Sequence, residues 1–173
     1  MRSHGTGLPP WEFRSLGEGV VFEHGVLVFH AETITIGGGC YVGHYAIVKG
    51  YHNSRLSIAE GCWIGQHAFL HSAGGLTVEA NVGIGPGVRI LTSAHDINRE
   101  RGRPIMQRPL DFAPVRLGEG SDIGTGAIVL PGVEIGARSQ IAAGAVVTRS
   151  IPEGVVAGGV PAKVLRTIEP DDA

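Results

Sequence analysis

The sequence predicts an all-β solenoid, a parallel β-helix wound from very short strands, and three observations carry that prediction. Between Leu117 and Ile151 an aliphatic residue recurs every six positions, at Leu117, Ile123, Val129, Ile135, Ile141 and Val147. Four places after each stands a small or β-branched residue: Ser121, Ala127, Val133, Ser139, Ala145 and Ile151. Glycine or alanine directly follows most of the aliphatics, as tight turns between short strands require. A helix repeats about every 3.6 residues and a half-buried strand about every 2, so neither explains the pattern. Hexapeptide periodicity belongs to the parallel β-helix.

Taken in order, residues 1–15 carry no repeat, and Trp11 and Phe13 are expected to cap the open lower end of the solenoid. Inward aliphatics then fall into triplets, one per coil. They are Leu16, Phe22, Val28; Ile36, Val42, Val48; Ile58, Ile64, Leu70; and Val78, Ile84, Ile90. Two more follow, Leu117, Ile123, Val129 and Ile135, Ile141, Val147, so about six coils of three hexapeptides are expected over residues 16–166. The first four triplets begin at 16, 36, 58 and 78, and each excess over eighteen residues follows the third hexapeptide, so insertions share one corner. The largest, 96–116 after the fourth coil, is long enough to suggest function. Pro152 and the Gly158-Gly159 pair are expected to end the repeat, with a tail turning back along the coils and a polar end at 167–173.

Composition narrows the class. The chain has 173 residues, 28 of them glycine, yet 43% are hydrophobic and no collagen period is present, so a single globular solenoid is expected. A net charge of −2 gives no electrostatic reason to seek nucleic acid or anionic lipid. No apolar run reaches a membrane span, and MRSHGTGLPPWEF lacks a signal peptide's apolar core, so a cytoplasmic location is expected. Cys40 and Cys62 occupy the small inward position of a first hexapeptide and should stack one rung apart as reduced core thiols, a disulfide being the alternative.

The repeat resembles the [LIV]-[GAED]-x-x-[STAV]-x pattern of the hexapeptide acyltransferases, which include maltose, galactoside, serine and xenobiotic acetyltransferases. That resemblance implies a left-handed β-helix, acetyl-CoA as co-substrate, no metal, and a homotrimer with active sites between subunits. In Ile90-Leu91-Thr92-Ser93-Ala94-His95-Asp96, His95 matches the family's catalytic base at the mouth of the extended loop. Imidazole suits that role because it titrates near neutral pH and can take the acceptor's proton as the new bond forms. Asp96, Glu134 and Asn53 are the groups open to orienting it. The asparagine that some relatives pair with this histidine has no counterpart, since Gly65 falls there.

The same resemblance implies a coenzyme site. Thr125, after Asp122-Ile123-Gly124, matches the residue whose backbone N–H meets the thioester carbonyl. Ala143, Thr148 and Arg149 match positions lining the coenzyme A groove, and Lys163 and Arg166 in GVPAKVLR match basic residues near its phosphates. Relatives commonly carry tryptophan at the place of Asp122, whereas the tryptophan here, Trp63, lies two coils lower.

The loop carries Arg99, Arg101, Arg103, Arg108 and Arg116. They either decorate a solvated loop or reach an acceptor bearing phosphate or carboxylate across a subunit boundary. Gly83-Ile84-Gly85-Pro86-Gly87 is no dinucleotide loop, because no helix can follow inside a hexapeptide run. His44, His67 and His71 raise a carbonic-anhydrase-like zinc site, but Gln66 stands where the second ligand of a rung should be. The expected function is O-acetylation of a sugar hydroxyl on a small-molecule or glycan acceptor, possible nucleotide linkage included. N-acetylation of a nucleotide-linked amino sugar and a non-catalytic assembly solenoid are the alternatives.

Overall fold

A computed structural model describes residues 5–169; of the polar end expected at 167–173, residues 170–173 lie outside the described residues. The chain winds into a parallel β-helix of three flat faces. On the first face, Ser15–Leu16, Ile34–Ile36, Leu56–Ile58, Leu76–Val78, Val115–Leu117 and Glu134–Ile135 pair in parallel. The second stacks Val21–Phe22, Tyr41–Val42, Trp63–Ile64, Gly83–Ile84, Asp122–Ile123, Gln140–Ile141 and Val155–Gly159. The third stacks Leu27–Phe29, Ile47–Lys49, Phe69–His71, Arg89–Ile90, Ile128–Val129 and Val146–Val147. Every predicted triplet is in register with the one below it: Leu16, Ile36, Ile58, Val78, Leu117 and Ile135 form one column through the axis.

Stacking at the strand spacing of about 4.8 Å puts like beside like, and the columns of Ile and Val form one continuous buried core. Between coils the backbone bonds upward, as in Gly85 N to Ile123 O at 2.8 Å and Gly124 N to Ile141 O at 2.8 Å. The glycines after the aliphatics have a steric cause: a Cβ on Gly124 would lie 2.6 Å from Ala143 N, and one on Gly136 would run into the Glu153 backbone. Cys40 and Cys62 are adjacent in their column and both free, each thiol donating to a carbonyl of the next coil, Ala59 O at 3.0 Å and Glu79 O at 3.1 Å. Burial pushes the Cys62 thiol up to about 11.

The lower end is closed by Trp11 and Phe13, whose rings meet Phe22 at 5.1 and 5.6 Å. The upper end corrects the sequence reading. The solenoid does not stop at Pro152: Ile151 bridges in parallel to Ile135, and Val155–Gly159 adds a partial seventh coil. Only then does Ala162–Thr167 turn back, as an antiparallel strand on that last rung. The inserted segment is also more ordered than a loop. Ser93–His95 and Leu110–Phe112 pair into an antiparallel ribbon, with a 3₁₀ turn at Ile105–Gln107.

Because the Gly136 position abuts backbone rather than a movable side chain, Gly136→Ala should cost about 1–3 kcal/mol through forced separation of the top two coils. Thermal unfolding of the variant measures it, and an unchanged midpoint would contradict the packing.

Candidate active site

His95 closes the first strand of the ribbon, where the chain leaves the corner between the third and first faces. Its Nδ1 lies 3.2 Å from the carbonyl oxygen of Arg108, two residues before the returning strand. A carbonyl only accepts, so Nδ1 carries a hydrogen and donates it, and Nε2 is the nitrogen left outside this contact. None of the three groups the sequence offered makes this contact. Asp96 is taken by Arg99, which also draws its carboxyl below the ordinary value; Glu134 projects from the first face; Asn53 lies at the corner below. The orienting atom is a main-chain oxygen.

Arg108 also fixes the arm around that carbonyl. Its guanidinium donates to Arg103 O at 2.9 Å, Ile97 O at 3.1 Å and Arg101 O at 2.9 Å, closing the tip on itself. Arg99 bridges Asp96 and Asp111 across the ribbon, Arg103 pairs with Glu100 at 2.9 Å, and Arg101 bonds Asn98 at 3.0 Å. Arg116 pairs with Glu79. Four of the segment's five arginines are therefore engaged in holding its shape, and the fifth, Arg116, ties the resumed coil to the one below.

At the root of the arm, buried Thr92 is clamped to the coil below. Its hydroxyl donates to His71 O at 2.8 Å and accepts from Gly74 N at 2.9 Å, while its own N–H points at His71 Nδ1 at 3.4 Å. Burial, then the Lys49 ammonium beside it in register, lower the His71 imidazole below its ordinary value of 6.5. His71, half-buried against Tyr51, is thus a structural acceptor. His44 and His67 sit across the third face at the opposite corner, where His67 stacks on Tyr45 at 5.4 Å and His44 approaches Glu23 at 3.4 Å. Among the described residues no group of three or more histidine, cysteine or acidic side chains could hold a metal.

The predicted coenzyme residues separate into two places. Gly124, Thr125 and Ala143 follow the second-face strands, with Thr125 one rung below Ala143. Neither the Thr125 nor the Ala143 N–H has an acceptor among the described residues, whereas the neighbouring Gly124 and Gly144 N–H groups are bonded to Ile141 O and Thr125 O. Lys163 pairs beside Gly158 and Arg166 beside Val156 on the returning strand of the same face. Thr148 and Arg149 leave the third face at the other corner, the one that bears the arm, in the coil above Ile128–Val129. Exposed Asp122 bonds Gln140 at 3.3 Å, and Trp63 stands in the same column two rungs below, stacked on Tyr41. Within one chain, His95 and Thr125 are separated by the width of the third face.

The structure thus defines a hexapeptide β-helix with a histidine held by main chain on an emergent arm. The bacterial transferase hexapeptide (six repeats) family model matches residues 114–149. A Saccharomyces cerevisiae protein provisionally named an acetyltransferase is 46% identical over 99 residues, 57% of this chain and 48% of that protein. The galactoside O-acetyltransferase of Escherichia coli is 36% identical over 97 residues, 56% of this chain and 46% of the enzyme. The chain therefore spans less than half the length of these curated relatives. Among solved structures, a single-site mutant of the Bacillus cereus N-acyltransferase AntD, in complex with dTDP and coenzyme A, superposes with a TM-score of 0.82. That match covers 91% of this chain and 85% of AntD at 18% identity, a likeness of fold. The resemblance to hexapeptide-repeat acyltransferases is borne out.

The His71 environment sets a pH dependence. Its folded value lies below the unfolded 6.5, so the unfolded chain binds the extra proton first, and stability falls as pH drops from about 6.5 toward the folded value. Melting temperatures measured across pH 7.5 to about 5 should decline in that window, and His71→Gln should flatten the decline. An unchanged slope in the variant would remove His71 as its source.

Proposed function

We propose that the chain is an acetyl-CoA-dependent acetyltransferase that delivers the acetyl group to a sugar hydroxyl, with His95 as general base. The observation that carries this reading is the Nδ1 contact of His95 to Arg108 O, which fixes the ring at the arm's root and leaves Nε2 as the nitrogen outside that contact. Nε2 takes the acceptor's hydroxyl proton as the oxygen attacks the thioester carbonyl. The carbon–sulfur bond breaks, its electron pair leaves on sulfur, and the imidazolium returns the proton to give free coenzyme thiol and an acetyl ester. No covalent acyl-enzyme is needed, and both cysteines are buried in the core.

In this reading the unpaired Thr125 N–H donates to the carbonyl oxygen as charge develops there, with Gly124 shaping the turn. Ala143, Thr148 and Arg149 line the pantetheine path, and Lys163 and Arg166 meet the coenzyme phosphates. The separation of His95 from Thr125 within one chain supports a homotrimer in which one subunit's arm faces its neighbour's groove. The catalytic unit is residues 16–166 in a cytoplasmic protein, and among the described residues no helix is long and apolar enough to cross a membrane. The similarity to galactoside O-acetyltransferase supports a carbohydrate hydroxyl as acceptor.

His95→Ala should lower the turnover of acetyl transfer by about 10²–10⁴-fold while calorimetric acetyl-CoA binding persists. Transfer near the wild-type rate would remove the base. Failure of the unaltered protein to bind acetyl-CoA would instead favour an assembly solenoid.

A further inference from the structure

With the arm's arginines spent on the arm itself, the cationic groups still open to a ligand lie elsewhere. Arg14 and Arg55 project from the corner between the third and first faces, in the first and third coils. Among the described residues neither guanidinium has a carboxylate partner within ion-pair distance; the acid that lines the cavity with them, Glu32, has its carboxylate 3.1 Å from His30 Nδ1. Together with His52 and Asn53 they line a cavity of about 300 Å³. A second cavity of about 480 Å³ shares Asn53, Ser54 and Arg55 with the first, and continues past Ser57 and Thr77 to Phe112 and Pro114 of the arm. The two form one groove. Arg14 precedes Ser15 and Arg55 precedes Leu56, two rungs higher, and Pro114 precedes Val115, two rungs higher again. At about 4.8 Å per rung the groove runs about 19 Å along the axis.

Its upper end reaches the base. In the ribbon Ser93 pairs with Phe112 and His95 with Leu110, so Phe112 and His95 share one ribbon face as diagonal neighbours, about 7–8 Å apart. The groove therefore offers guanidinium groups at one end, hydroxyls of Ser57 and Thr77 along its floor, and an aromatic ring beside the imidazole at the other. Hydroxyls and an aromatic face suit a sugar ring, and paired guanidinium groups suit phosphate or carboxylate oxygens.

We infer that this groove binds an anionic saccharide, with its phosphate or carboxylate at Arg14 and Arg55 and its reacting end under Phe112 and His95. The inference rests on the proposed transferase reading for the identity of the reacting end, and on the groove alone for the anion.

The test pairs a binding arm with a turnover arm. Inorganic pyrophosphate and trigalacturonate, titrated separately into the full chain by calorimetry at low salt, identify a phosphate or a carboxylate source. At least one should bind, and the double variant Arg14→Gln/Arg55→Gln should weaken it at least about tenfold. Absence of binding by both probes, or binding indifferent to the variant, overturns the inference whether or not the protein transfers acetyl groups. Where transfer is observed, the double variant should raise KM for a sugar phosphate at least about tenfold. KM for maltose and for acetyl-CoA should stay unchanged. An equal rise for maltose would mean that the arginines serve the fold rather than the anion.

Discussion

The structure depends on one constraint: each coil satisfies its backbone hydrogen bonds on the coils above and below it, so equivalent positions are forced into columns about 4.8 Å apart. The consequences are visible in every column. The large inward position is apolar in every coil, because a polar group there would be buried among its copies; the smaller inward position admits Cys and Ser, and buried Ser121, whose hydroxyl finds no partner among the described residues, marks how narrowly that is met. On the first two faces the position following the aliphatic is mostly glycine or alanine, because the next coil's backbone occupies the space of a Cβ, as at Gly124. Sequence freedom survives on the outward faces and at the corner where insertions leave, and chemistry collects there.

Emergence of the arm at that corner costs the solenoid little, since Val115 resumes register directly on Leu76. Thr92 at one foot is tied to His71 and Gly74, and Ala113 N at the other foot bonds back to Thr92 O at 3.0 Å. Between these fixed feet the ribbon can place His95 reproducibly, and Arg108 serves twice. Its side chain gathers three carbonyls of the tip, and its own carbonyl selects the imidazole tautomer. An imidazole oriented by a main-chain carbonyl owes that orientation to no carboxylate, which distinguishes it from an acid–histidine pair.

The coils were legible in the sequence because a column imposes the same residue class every eighteen positions or so. All six triplets, and the adjacency of Cys40 and Cys62, follow from that alone. The seventh coil was hidden by a slip: Ile151 lies over Ile135 sixteen residues on, and Ala157, too small to read as a core aliphatic, lies over Ile141. The ribbon was hidden for a different reason, since Ser93–His95 and Leu110–Phe112 meet across an irregular turn with no period to announce the pairing. His95 itself was found by resemblance, but its partner was not, because a carbonyl has no letter.

The arginines show most clearly why composition misleads about charge. Five of them in one inserted segment read as an anion-binding loop, yet a short, glycine- and proline-containing segment lifted off a solenoid has no core of its own and must be cross-braced to hold a shape. Its carboxylates and carbonyls are the nearest acceptors, and they absorb Arg99, Arg101, Arg103 and Arg108 locally. Arg14 and Arg55 lie on the opposite side of this division. They stand at a corner whose strands already satisfy each other's backbone, so nothing in the fold requires their charge. A cation the fold does not use, at the foot of a groove that climbs toward a fixed imidazole, is available to a ligand in a way that the braced arm is not.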